Sequence, residues 1–191
     1  MSIFEDVRTY DRLTGMRKIL RRYFVMNAFD GALTTMGLVM GAFLGGLQDN
    51  SIVFFLGMST ATAVAISGFS GAFFAEEAER KKELRELERA MLSKLGRTSY
   101  GKAFRFATYG AALVDGVSPL AAALAILSPF LFLPVALAFL AAFAISFLLL
   151  FLLGAYLGTI SRESMLGAGF KMVAAGGVAL LASFLLYGVY F

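Results

Sequence analysis

The chain has 191 residues, of which 59% are hydrophobic and 16% charged, with a formal net charge of +4 and a mean hydropathy of +0.78. It contains neither cysteine nor histidine, which excludes disulfides, zinc fingers and Ser-His-Asp catalysis. Long apolar stretches alternate with charge clusters, so the lipid bilayer is the expected solvent. A bound metal ion would need oxygen ligands or methionine thioethers.

The apolar stretches predict an all-α polytopic membrane protein. Residues 1–22, with Ile3 and Val7 among the charges, predict an amphipathic helix on the cytoplasmic surface. A membrane domain over 23–191 follows, in which five stretches reach the ~20 residues that a spanning helix needs. They are 23–47, 51–75, 106–128, 130–158 and 165–191. A cytoplasmic helical extension is predicted over 76–97.

The basic residues predict the orientation of these five spans. Cytoplasmic loops carry the excess of Lys and Arg, and all 17 basic residues fall in or beside the N-terminal segment, the 76–105 segment and the loop at 161–164. The predicted outer turns, at 48–50 and 129–134, carry none. We therefore expect the N-terminus in the cytoplasm and the C-terminus outside.

Two aspartates, Asp30 and Asp115, interrupt the apolar stretches and are the first candidate transport residues. Measured from Arg22 and Arg105, they lie roughly 12 and 15 Å into the membrane, close to its midplane. Each is followed by glycine, a weak internal repeat of the kind that flanks transporter sites. An ionisable side chain at this depth costs about 2.5–3.5 kcal/mol and is functional by default.

Polar and small residues at helical spacing accompany both aspartates and form one face on each of three helices. These faces could line a polar seam through the helix bundle. Alternatively, the small residues merely allow the helices to pack closely, and for the small residues we favour this second interpretation. Lys171 could pair with an aspartate, although we favour its extending to the cytoplasmic surface. The faces comprise Asn27, Asp30, Thr34, Gly37 and Gly41; Thr60, Ala63, Ser67, Ser70 and Glu77; and Thr108, Ala111, Asp115 and Ser118.

Four carboxylates share one face of the cytoplasmic extension: Glu76, Glu79, Glu83 and Glu86. Such a face could collect divalent cations before transport. The alternative, which we favour slightly, is a solvated helix neutralised by its own Arg and Lys. Glu76 is the strongest candidate of the four because it lies at the membrane edge.

Several motifs resemble those of the vacuolar iron transporter family. They are DGALTTMGLVMG at 30–41, AISGFSG at 65–71, Pro119, FLLGAY at 151–156, and the segment from GFKM at 169–172 to Tyr187-Gly188. The resemblance implies five spanning helices, a homodimer, and export of Fe²⁺ or Mn²⁺ from the cytoplasm. It also assigns metal and proton translocation to Asp30.

The chain departs from the family in its second helix and its cytoplasmic segment. The family usually carries a methionine and Gly-Glu-Tyr in that helix, where this chain has Gly68 and Gly-Ala-Phe at 71–73. Glu76 lies one helical turn beyond Ala72, and Met26 lies one turn before Asp30 on the same face, so either could compensate in part. The short cytoplasmic segment resembles the branch that lacks the large metal-binding module.

A secondary transporter of divalent metal ions, coupled to protons, is therefore the predicted function. The alternatives are an intramembrane metal-dependent enzyme or lipid-handling protein, or a non-transporting scaffold, and we do not expect an enzyme. The metal is substrate rather than cofactor, and the expected partners are protons, the lipid bilayer and a second copy, without nucleic acid. The expected location is the cell membrane of a prokaryote, or a vacuole-like membrane in a eukaryote.

Overall fold

A computed structural model describes residues 10–190, without the side chain of Tyr190. The described residues are 89% helical and contain no strand. Residues 10–14 are helical, and a 3₁₀ turn at Ser128–Leu131 precedes the fourth long helix. The long helices of this part of the chain are α1 (Met16–Leu44), α2 (Asn50–Met91), α3 (Ser99–Leu127), α4 (Val135–Ser161) and α5 (Met165–Tyr190).

The N-terminal region differs from the predicted boundary between a surface helix and a first span. Residues 1–9, including Ile3 and Val7, lie outside the described residues. Helix α1 begins at Met16 and continues past position 22 without a break, and the chain bends instead at Gly15, whose φ is +63°. Arginine favours the helical conformation, so the helix continues through Arg21 and Arg22, where we expect the boundary between water and lipid.

Helix α2 joins the predicted second span to its charged extension in one helix of 42 residues. It ends at Met91, before the predicted end of the extension at 97. Leu92 follows with a φ of +49°, and the Glu88 carboxylate accepts a hydrogen bond from the Leu95 backbone N–H at 2.7 Å. The side chain of Glu88 therefore stabilises the turn after the helix.

Four helices in the described part of the chain are long and apolar enough to cross a membrane. They are Asn50–Met91, Ser99–Leu131, Val135–Ser161 and Met165–Val189. Helix α1 is not among them, since Asn27, Asp30 and Thr34 lower its hydropathy. Large apolar side chains cover much of the surface, among them Phe55, Leu140 and Phe184, as expected where lipid replaces water. The chain is an integral membrane protein.

The chain divides into two compact units. The first joins the N-terminal residues through Phe24 to Ile66–Val117, and the second joins Val25–Ala65 to the chain from Ser118 onwards. In the first unit, Phe73 of α2 packs on Tyr109 of α3 with ring centroids 5.4 Å apart. The core of the second unit includes the fully buried side chains of Met36, Ile126 and Leu150.

The second unit holds α1 and α3 in close contact at Gly31 and Pro119. A Cβ at Gly31 would collide with the Pro119 backbone, so glycine is the residue that allows this approach. Pro119 lies inside α3, where its ring removes one helical hydrogen bond. The Asp30-Gly31 motif is thereby fixed against the middle of α3.

Candidate functional site

Asp115 is buried on α3 within the first unit. Only 6% of its surface is exposed, and its carboxylate lies against the backbone of α2 at Gly68. A Cβ at Gly68 would be 2.9 Å from Asp115 Oδ2. The absence of a side chain at Gly68 therefore leaves the space that the Asp115 carboxylate occupies.

The polar face of α3 predicted around Asp115 is buried along its whole length. Thr108 and Ser118 are each 4% exposed and Ala111 is fully buried. The Thr108 hydroxyl donates a hydrogen bond to the Phe104 carbonyl at 3.1 Å, so its own polarity is satisfied within the helix. A buried face of carboxylate and hydroxyl oxygens can accept a cation or a proton.

The corresponding faces of α1 and α2 are more open than that of α3. Asp30, Thr34 and Met26 are exposed on α1, and Asn27 is half-buried. Added Cβ atoms at Gly37 and Gly41 would meet nothing within 4 Å. Helix α1 thus presents a carboxylate, a hydroxyl and a thioether on a surface that the described part of the chain does not cover.

Glu76 is buried in a network of side chains rather than open at the membrane edge. It is 8% exposed, and its Oε2 lies 3.3 Å from Arg80 Nη2. Its Oε1 accepts a hydrogen bond from the Tyr23 hydroxyl at 3.1 Å. Arg80 is also 8% exposed and reaches Glu83 Oε2 at 2.8 Å. A guanidinium therefore occupies the position that a metal ion would take between these carboxylates.

The rest of the acidic face is dispersed. Glu83 is half-buried against Arg80, whereas Glu79 and Glu86 are exposed. No group of three or more acidic side chains that could hold a metal ion occurs among residues 10–190. Lys171 lies 3.5 Å from Glu163 at the adjacent turn, with both side chains exposed, which agrees with its expected extension to the surface.

Tyr23 and Arg80 belong to this site but were not predicted for it. The spacing of Glu76 and Arg80 indicated a helical ion pair, but nothing in the sequence showed that the pair would be buried. Tyr23 is 53 residues from Glu76 in the chain, so no local pattern connects them. Its position immediately after two arginines was the available signal, because tyrosine is enriched at membrane interfaces.

The fold and the site together define a class of protein: an all-helical integral membrane protein with a carboxylate buried between two of its helices. Comparison with known proteins narrows this class: residues 21–95 match the VIT family. An uncharacterized protein of Methanocaldococcus jannaschii is 34% identical over 165 residues, covering 84% of this chain and 85% of the relative. The chain belongs to the VIT family, whose members are membrane transporters of metal ions.

Proposed function

We propose that the protein is a secondary transporter that exports Fe²⁺ or Mn²⁺ from the cytoplasm in exchange for protons. Membership of the VIT family supports metal transport, and the observation that carries the proposal for this chain is the burial of Asp115 against Gly68. A carboxylate held between apolar helices is energetically costly, and where one occurs inside a membrane domain it usually serves a function. Binding a metal ion and a proton in turn is such a function.

The ligand chemistry favours Mn²⁺ and Fe²⁺. Asp115 supplies oxygen, a ligand that suits Mg²⁺, Mn²⁺ and Fe²⁺. Met26 on α1 offers the pathway a thioether, a ligand type that shifts the preference away from Mg²⁺. The Asp115 carboxylate occupies the space beside Gly68, where the family resemblance led us to expect a methionine. In the proposal, Asp115 therefore compensates for that missing ligand.

A homodimer completes the proposed pathway. Asp30 and Thr34 are exposed on α1 of the single chain, where in a bilayer they would contact lipid unless another protein surface covers them. A second copy packed on this face would place both Asp30 carboxylates near the axis and let the small residues of α1 approach closely. Metal ions and protons would then pass along a path that both protomers line.

Glu76 is proposed to bind the metal ion at the cytoplasmic entrance, in competition with Arg80. The guanidinium already contacts Glu76 and Glu83, so an arriving divalent cation binds there when Arg80 moves away. Glu79 and Glu86 are exposed and lie further along the same helix. They contribute attraction for cations rather than a coordination site.

The proposed topology has five spans, with α1 as the first, the N-terminus in the cytoplasm and the C-terminus outside. The distribution of Lys and Arg supports it. Asp30 then lies inside the membrane, as transport requires. The proposed location is the cell membrane of a prokaryote, or a vacuole-like membrane in a eukaryote, and no enzymatic step or resident cofactor is part of the proposal.

The test is metal uptake into proteoliposomes that contain the purified protein and a pH reporter. Fe²⁺, Mn²⁺, Co²⁺, Zn²⁺ and Mg²⁺ are compared under the same proton gradient. We expect uptake of Fe²⁺ or Mn²⁺ accompanied by proton movement in the opposite direction, with little uptake of Mg²⁺. Absence of flux for all five ions by a folded, inserted protein would refute the proposal.

A further inference from the structure

A cavity of about 270 Å³ lies between the charged part of α2 and the first turns of α3, within the first unit and separate from Asp115. We propose that it binds the phosphate group of an anionic phospholipid. Its walls carry the basic side chains of Arg80, Lys81 and Arg105, and the apolar side chains of Leu84 and Phe104. Arg80 and Thr108, which also line it, belong to the proposed transport pathway, so the proposal is tested by lipid binding and not by flux.

The charge of the cavity fits an anion. Three basic side chains line it against one carboxylate, Glu77, and that carboxylate is paired with Lys81 at 2.9 Å. The guanidinium of Arg105 lies on the exposed side of the cavity, near the Gly96 carbonyl at 3.5 Å. Arg80 is itself held by Glu76 and Glu83, so Arg105 is the lining cation without a carboxylate partner in the described chain, and its charge at the open side of the cavity favours a phosphate over a metal ion.

Arg80 supplies a second, independent indication of an anionic ligand. Its two terminal nitrogens contact Glu76 and Glu83, while its Nε is buried and has no hydrogen-bond partner in the described chain. A buried N–H without an acceptor is unfavourable, and a phosphate oxygen is a strong acceptor for arginine. A ligand oxygen would satisfy this donor.

The first turn of α3 adds to the attraction. Helix α3 begins at Ser99, and the backbone at Gly96 and Gly101 lines the cavity. The N-terminus of a helix carries a partial positive charge and favours phosphate groups. The phosphate would therefore meet a helix N-terminus beside the exposed side chains of Lys81 and Arg105.

The position of the cavity favours a lipid as the source of the phosphate. Arg105 marks the start of the third predicted span, so the cavity lies where charged helix gives way to membrane-spanning helix. Leu84 and Phe104 form an apolar wall suited to the glycerol and upper acyl chain of a lipid. Basic pockets between helices at the membrane surface bind anionic headgroups in this way.

The experiment measures lipid binding to the purified full-length protein in detergent by native mass spectrometry. Phosphatidylglycerol, phosphatidylcholine and inorganic phosphate are the probes. The cavity variant combines Lys81→Gln with Arg105→Gln. The matched control combines Lys82→Gln with Lys102→Gln, which removes the same charge from exposed positions on the same two helices outside the cavity.

We expect phosphatidylglycerol to bind the wild type and the control with equal affinity. It should bind the cavity variant about tenfold more weakly. Phosphatidylcholine should bind all three proteins more weakly than phosphatidylglycerol binds the wild type. Competition by inorganic phosphate that depends on the same two residues would support phosphate recognition. Equal losses in both double variants, or equal binding of the two lipids, would overturn the proposal. Binding of inorganic phosphate without phosphatidylglycerol would overturn the lipid as its source.

Discussion

Glu76 and Arg80 show how a single buried ion pair changes the role of a candidate ligand. Both side chains are almost fully buried, and Tyr23 completes the hydrogen bonding of the carboxylate. Removing Glu76 is costly because it would leave the buried guanidinium of Arg80 with the half-buried Glu83 as its remaining carboxylate partner. The same contacts stabilise the first unit and restrict the access of metal ions to Glu76.

Glu76→Gln is therefore expected to destabilise the protein by about 3 kcal/mol and to lower its melting temperature by several degrees. Thermal unfolding in detergent measures the effect. Glu79→Gln is the matched control, since Glu79 is exposed on the same helix and its loss should leave the melting temperature unchanged. Equal melting temperatures for the two variants would show that the ion pair does not stabilise the fold.

For single residues, the sequence indicated which side chains are candidates for function, but it did not indicate which side chains surround them. Asp115 was predicted as a transport residue from its depth in an apolar stretch; the structure shows it buried, and its role stays a prediction. The pairing of Glu76 with Tyr23 was not predictable, because it depends on how α1 and α2 pack within the first unit. Helical spacing reports neighbours on one helix and not contacts between helices.

Among the helices, the contact of α1 with α3 depends on Gly31. Its backbone lies against Pro119, and no side chain fits between them. Gly37, two turns further along α1, has open space around it. The two glycines of the same motif therefore have different structural roles, which the sequence alone did not distinguish.

Gly31→Ala is expected to destabilise the protein by about 1–3 kcal/mol, because the added methyl group forces α1 and α3 apart. Gly37→Ala should be neutral or stabilising by up to about 1 kcal/mol, since alanine favours the helix and nothing obstructs it. Thermal unfolding of both variants provides the comparison. A larger loss at Gly37 than at Gly31 would contradict the packing described for these helices.

The sequence predicted the end of α3 and the bounds of α5 to within one residue, because an unbroken apolar stretch bounded by a polar turn leaves little choice. Helix α3 begins seven residues before its predicted span, and α4 five residues after the predicted start. The sequence was less successful at the ends of α1 and α2, where charged residues continue the helix beyond the apolar stretch. The polar residues that make α1 a candidate for transport also lower its hydropathy. A helix that carries a site is therefore the hardest to recognise as a span.

For the whole molecule, the absence of cysteine from the sequence permits a direct test of topology. Gln48→Cys lies in the turn after α1 and Ser93→Cys in the turn after α2, and both positions are exposed. A membrane-impermeant thiol reagent should label Gln48→Cys in intact cells. It should label Ser93→Cys only after the cells have been permeabilised. The reverse pattern would place the N-terminus outside.

The proposed dimer predicts a specific cross-link. Thr34→Cys, one turn from Asp30 on the exposed face of α1, should form a disulfide-linked dimer on mild oxidation in membranes. Leu140→Cys is the control, since Leu140 is 67% exposed on α4 and is expected to face lipid. Cross-linking at position 140 without cross-linking at 34 would place the contact between copies elsewhere.

The most direct measurement compares Mn²⁺ flux and internal pH in proteoliposomes of the wild type, Asp115→Asn and Asp30→Asn. Asparagine keeps the size of the side chain but cannot exchange a metal ion for a proton, so we expect both variants to lose at least about 90% of the coupled flux, consistent with the loss of about 1.4 kcal/mol or more of binding. Size-exclusion profiles matching the wild type would show that both variants fold. Undiminished flux and proton movement in Asp115→Asn would contradict the assignment of the buried carboxylate to transport.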